Sequence, residues 1–208
     1  MTRPIYLLDR YGPKVGEATT DFLQADPYGV GEAPLCEACG GAIGMLHWEP
    51  PLRAEIETWG STFGDLAFGP GDSFLVSERF QSSWRSAGLV GLQGFEPVEI
   101  VKVRHRGKRI KKARPRYFRV WPGRSEVAVD QVRSGIQWTS PPTCEVCRVG
   151  TMKGQERIVL EGEPEENVFI ARGLPGQVLV DGRVRRFCEE HTITNCPLIP
   201  AERARYES

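Results

Sequence analysis

Two stretches of the chain share one order of apolar and polar positions. In the first, a Gly69-Pro70-Gly71 turn leads into the apolar run Phe74-Leu75-Val76, then Ser77, then a segment with Phe80, Trp84 and Ala87 apolar at i, i+4, i+7. In the second, Leu174-Pro175-Gly176 leads into Val178-Leu179-Val180, then Asp181, then Val184, Cys188 and His191 at the same spacing. Each reads as a turn, a short buried strand, a helix N-cap (Ser77 or Asp181) and an amphipathic helix. Gly88 stops the first helix, and Thr192 holds the equivalent place in the second. Between them Val98-Glu99-Ile100-Val101-Lys102-Val103-Arg104 alternates, as does Tyr117-Phe118-Arg119-Val120-Trp121, with breaks at Gly107 and Arg114-Pro115 that predict a hairpin or a long-loop pair. Residues 130–138 predict a short helix, with Val132 and Ile136 one turn apart. Ile158 to Leu160 and Val168 to Ala171 predict strands on either side of the acidic turn 161–166.

The repeated order extends to cysteine. Cys36-Glu37-Ala38-Cys39 precedes the first unit and Cys144-Glu145-Val146-Cys147 the second, with 36 residues from Cys39 to Leu75 and 32 from Cys147 to Leu179. Order and spacing together predict an internal duplication. The expected fold is α+β: two related halves of short strands and amphipathic helices around a shared zinc knuckle pair. The expected organisation is an N-terminal half at 1–100, a basic strand-rich connector at 101–138, and a C-terminal half at 139–208, all in one compact unit.

Composition narrows the class. The 208 residues are 40 % hydrophobic and 26 % charged, the balance of a core-forming globular chain rather than a disordered or fibrous one. No run approaches the ~18 apolar residues of a membrane span. The N-terminus lacks an apolar stretch long enough for a signal peptide, so a cytoplasmic protein without a membrane partner is expected. Net charge is zero, from 27 basic and 27 acidic residues, but it is unevenly placed. Residues 102–119 hold ten Lys/Arg and no acid, which leaves 17 basic against 27 acidic residues elsewhere, a net −10. Such polarity points to a charged partner, to pairing within the chain, or to a solvated two-stranded ribbon whose long side chains keep it soluble.

Three readings compete for the C-x2-C pairs. Four thiolates in two knuckles match a structural zinc site, with Cys36, Cys39, Cys144 and Cys147 as ligands and one Zn2+ per chain. The 104 residues between Cys39 and Cys144 exceed a local zinc ribbon, and the duplication explains them if each half contributes one knuckle. Thiol redox chemistry is the second reading, although a reactive C-x2-C opens a helix and glycines follow here. Merely structural thiols are the third. Cys188 and His191 have a ligand spacing too, but Trp84 and Ala87 stand at the matching places, so core packing is expected of them and of Cys196. His47 is a candidate substitute ligand near the first knuckle. No enzyme motif is present: there is no G-x-S-x-G, no H-E-x-x-H and no phosphate-binding glycine loop with Lys-Ser/Thr.

Cys36-Glu37-Ala38-Cys39-Gly40, Cys144-Glu145-Val146-Cys147 and the intervening Leu75-Val76-Ser77-Glu78-Arg79-Phe80 together resemble the myxobacterial double-CXXCG motif family. The likeness runs over most of the chain, including Gly173-Leu174-Pro175-Gly176. Arg148 stands where the second motif leads one to expect glycine, which bears on the turn more than on the sulfurs. The resemblance implies an immunity protein that binds and neutralises a cognate polymorphic toxin encoded by a neighbouring gene, without catalysis. The acidic turn 161–166 and exposed members of Trp48, Trp59, Trp121 and Trp138 are candidate contact material. The alternative is a zinc-ribbon-like nucleic-acid-binding protein using residues 102–119 on phosphates; the net −10 elsewhere opposes it.

Overall fold

The computed structural model describes residues 3–10, 16, 18–110 and 113–207. Its strands are β1 (Ile5–Leu8), β2 (Thr20–Gln24), β3 (Gly29–Val30), β4 (Trp48–Glu49), β5 (Arg53–Thr58), β6 (Leu66–Ala67), β7 (Phe74–Ser77), β8 (Leu92–His105) and β9 (Lys108–Arg109). They continue with β10 (Tyr117–Val129), β11 (Gln137–Ser140), β12 (Thr151–Gln155), β13 (Leu160–Glu161), β14 (Val168–Arg172), β15 (Leu179–Asp181), β16 (Leu198–Pro200) and β17 (Tyr206–Glu207). The helices are α1 (Glu78–Ala87) and α2 (Gly182–Glu190).

The two strand-cap-helix units form as the pattern predicts. Ser77 Oγ accepts the Phe80 N–H at 3.1 Å, and Asp181 Oδ1 accepts from Arg183 and Val184 at 2.9 and 3.1 Å, which satisfies otherwise orphaned amides at each helix start. Gly88 ends α1 in the left-handed region at φ +61°, and Thr192 takes φ +48° just past α2. Phe80 stacks on Trp84 at 5.6 Å, and the Phe187 ring meets both edge-on at 5.5 and 5.7 Å. The helices are thereby locked to each other through three aromatic rings.

The expected α+β arrangement of two related halves is overturned. Strand makes up 41 % of the structure and helix 11 %. Twelve strands form one mixed sheet whose main path runs β16-β1-β15-β14-β10-β8-β5-β2. β1, from the start of the chain, lies antiparallel between β15 and β16 from its far end. β10 is the spine. Its first half pairs with β7 and β8, and from Gly123 onward it runs parallel to β14. The core around α1 and α2 joins Tyr6 and Leu8 to Leu66, Phe74, Val120, Val180 and Phe187. Backbone pairing crosses between the supposed halves, and so does this core, although a second core around Phe22, Ile56 and Tyr117 lies wholly within residues 22–117.

The 98–104 and 117–121 segments are strands as expected, within the longer β8 and β10. Arg106 and Gly107, at φ +45° and +80°, make the two-residue turn from β8 to β9. Residues 130–138 are not a helix. Asp130 Oδ1 caps a single turn by accepting the Arg133 N–H, Gly135 breaks it at φ +63°, and β11 begins at Gln137. Val132 is 89 % exposed, so its spacing from Ile136 buries no face. No helix among the described residues is long and apolar enough to cross a membrane.

Candidate metal centre

Both C-x2-C pairs are tight turns set in loops. The first lies between β3 and β4, where the Cys36 N–H donates to Gly41 O and the Gly40 N–H returns to Cys36 O, each at 2.8 Å. Gly40 has φ +69°, a conformation that favours glycine. The second lies between β11 and β12, where the Arg148 N–H donates to Cys144 O at 2.9 Å. Arg148 sits at φ +54°. The residue after each second cysteine therefore adopts the same left-handed turn, glycine in one knuckle and arginine in the other. Gly150 then lets the loop close: a Cβ there would meet Ser140 O at 2.6 Å and Pro142 N at 2.8 Å.

The fold brings these turns together. The sulfurs of Cys36, Cys39, Cys144 and Cys147 all lie within 4.8 Å of one another, although 104 residues separate the pairs. Cys36 faces Cys144, and Cys39 faces Cys147, each at 3.9 Å between sulfurs. A tetrahedral cation with metal–sulfur bonds of ~2.3 Å spaces its sulfurs at ~3.8 Å, so this is a possible metal site. Cys36 and Cys147 are buried, Cys144 is half-buried and Cys39 is exposed.

Electrostatics within the cluster are uneven. The Cys147 and Val146 backbone N–H groups pull the Cys144 thiol down to about 7. At Cys39 the Gly41 N–H acts downward, but the Cys144 and Cys36 sulfurs, with burial, push the thiol up to about 11. Burial raises Cys147. Neighbouring sulfurs resist simultaneous ionisation, and a shared cation reverses that preference.

Arginines from the sheet fasten the knuckles, a feature with no spacing signature in the sequence. Arg124 of β10 donates to Ile43 O beyond the first pair, and Arg172 of β14 donates to Val146 O inside the second at 3.1 Å. Arg148 pairs with Glu161 at 2.8 Å, tying the second knuckle to the start of the acidic turn. Glu166, at the other end of that turn, accepts from Ser125 Oγ at 2.9 Å.

The remaining candidates fall elsewhere. Neither C-x2-C pair opens a helix, so neither thiol pair has the helix N-terminus expected of a redox centre. His47 stands edge-on to Trp121 at 5.9 Å, outside the cysteine cluster. His191 packs on Phe187, and the sulfur nearest Cys188 is that of Cys196, at 3.5 Å. Trp48 is buried against Phe22, whereas Trp59, Trp121 and Trp138 are half-buried.

Much of the basic segment is matched within the chain. Glu55 of β5 takes Lys102 at 3.1 Å and Arg104 at 2.9 Å. Burial acts to raise the Glu55 carboxyl, and these two cations outweigh it and hold it below the usual range. Arg116 pairs with Glu78 at 2.7 Å, Arg119 with Glu96, and Arg106 donates to Trp59 O. Lys111 and Lys112 lie outside the described residues. No protein-family model and no curated protein matches the chain.

Proposed function

We propose that this chain is a zinc-stabilised binding protein, and specifically the cytoplasmic immunity partner of a polymorphic toxin encoded beside it. The observation that carries the reading is the convergence of two sequence-distant C-x2-C turns on one four-sulfur centre. That is the feature through which the sequence resembles the double-CXXCG family. Zinc is the proposed ion because an all-thiolate set at this spacing suits its tetrahedral preference. Cys36, Cys39, Cys144 and Cys147 would hold it, and its role would be structural: it would fasten two loops that carry little regular structure of their own.

The proposed action is stoichiometric, by covering or locking the toxin rather than by chemistry on it. Exposed Leu35 and Val146 line a cleft beside Cys36 and Cys147, and exposed Met45 and Leu46 line the neighbouring one. They border two adjoining clefts of about 250 and 300 Å³ that share Arg124 and Ile170. Apolar anchors on a rigid, charge-rimmed surface suit a protein partner. The internal pairing of residues 102–119 supports a protein partner over a nucleic acid, because several of those cations already have carboxylates.

The test is co-expression with the toxin from the neighbouring gene. The chain restores growth and co-purifies with the toxin at a fixed ratio, and Leu35→Asp with Val146→Asp weakens both while the metal is retained. Undiminished killing in the presence of soluble, metal-loaded protein refutes the immunity reading. A salt-sensitive shift of generic DNA or RNA at physiological ionic strength would favour the nucleic-acid reading instead.

A further inference from the structure

The two cysteines outside the metal centre lie in contact with each other. Cys188 occupies the last turn of α2, facing the core, and Cys196 lies eight residues on. Their sulfurs are 3.5 Å apart, both are free thiols, and neither belongs to the four-sulfur group. A disulfide has an S–S bond of ~2.05 Å, so closing this pair moves the sulfurs together by roughly 1.5 Å.

The intervening chain is shaped to bring them together. The Ile193 N–H donates to Cys188 O at 2.8 Å and closes the turn after α2. Thr192 and Asn195 both take positive φ, +48° and +54°, which folds residues 192–195 back on the helix. Two left-handed non-glycine residues so close together are a conformation the chain holds only against local cost. That loop is also fastened from outside. Asn195 Nδ2 donates to Thr20 O and Leu66 O at 2.9 and 2.8 Å, and Thr194 donates through its N–H and its hydroxyl to Asp65, both at 2.9 Å.

We infer that Cys188 and Cys196 are a disulfide site, oxidised by low-molecular-weight disulfides while the metal centre stays intact. One thiolate attacks a sulfur of oxidised glutathione and expels one glutathione thiolate. The other protein thiolate then attacks the protein sulfur of that mixed disulfide and expels the second. Two protein thiols are oxidised by two electrons, and one glutathione disulfide is reduced to two thiols. The sulfur of Cys188, together with burial, holds the Cys196 thiol well above its ordinary value. Oxidation therefore speeds up as pH rises. Cys36, Cys39, Cys144 and Cys147 would react more slowly with a cation bound, because coordination draws on the electron pairs that would attack. The bond would staple α2 to the loop that holds β2 and β6; the inference rests on the proposed metal at the four-sulfur centre and not on the immunity reading.

The experiment incubates the metal-loaded full chain with oxidised glutathione and follows metal content, peptide masses and melting. No Lys or Arg lies between Phe187 and Arg203, so one tryptic peptide carries both cysteines. That peptide loses two hydrogens, the metal stays bound, and the oxidised chain melts on the order of 5 °C higher. Dithiothreitol reverses all of this, and Cys188→Ser or Cys196→Ser prevents the loss. The wild-type peptide is read directly, so the result does not depend on a variant folding. A 187–203 peptide that keeps its two hydrogens at saturating oxidised glutathione overturns the assignment. So does oxidation of that peptide only as the metal leaves, or a disulfide that leaves the melting temperature unchanged.

Discussion

Gly40 and Arg148 occupy the same turn in the two knuckles, at φ +69° and +54°, each donating its amide to the first cysteine of its own pair. The glycine meets no neighbour with a Cβ added, so any side chain there is opposed by backbone conformation alone. The arginine sits in that same strained region but gains an ion pair with Glu161.

Exchanging the two residue types has opposite consequences. Arg148→Gly relieves the left-handed strain, loses the Glu161 pair, and changes stability by less than about 1 kcal/mol with metal content unaltered. Gly40→Val places a β-branched residue in the left-handed region and costs about 1–2 kcal/mol. Denaturant unfolding of the metal-loaded variants, beside metal analysis, checks both.

Asp65 joins the N-terminal part of the chain to its end. Its carboxylate accepts from Ser77 Oγ, from the Thr194 N–H and hydroxyl, and from the Arg79 guanidinium. Arg79 also donates to His191 O and Thr192 O at the end of α2, at 2.6 and 3.0 Å. Burial acts to raise the Asp65 carboxyl, but these donors prevail and hold it below the usual range. Its contribution is therefore present above the unfolded value of ~3.9 and lost as pH falls through the lower folded value. Asp65→Asn destabilises by about 3 kcal/mol at pH 7. The gap between wild type and variant narrows on acidification, as unfolding midpoints from pH 7 to pH 3 will show.

Phe187 is the ring on which α1 and α2 meet. Phe187→Ala removes its edge-on contacts to Phe80 and Trp84 and costs about 3–5 kcal/mol, measured as a shift in urea midpoint. A loss below about 1 kcal/mol would mean that the helices are held by something other than these rings.

Metal occupancy depends on pH in a fixed direction. Cys39 is raised to about 11 and Cys147 is raised as well, so these thiols carry protons at neutral pH until a cation displaces them. Affinity measured against a chelator falls as pH is lowered, with more than one proton taken up per metal released.

What the sequence made legible was mostly local. Ser77 and Asp181 announce their helices because an N-cap and the apolar spacing after it act within a few residues. The cysteine spacing likewise marks the four sulfurs, since two intervening residues suit a knuckle wherever it lies. The sheet was not legible. The insertion of β1 between β15 and β16, and the parallel pairing of β10 with β14, depend on contacts far apart in sequence. Similar units in similar order suggested two halves, whereas one sheet and the core around α1 and α2 run across them. Val132 and Ile136 gave a helical spacing that one glycine, Gly135, cuts short. Arg124, Arg172 and Glu161 have no sequence signature as fasteners of the knuckles, because a charged residue carries no mark of the carbonyl or ion partner it will find.

Four cysteines from two distant turns are proposed to share one zinc ion. Metal analysis of the purified chain and its single-cysteine variants tests this most directly. One zinc per chain is expected, lost to the same extent in Cys36→Ser and in Cys144→Ser, and unaffected in Cys196→Ser. Zinc that survives the loss of either knuckle, two zincs per chain, or none at all in freshly purified wild type would contradict it.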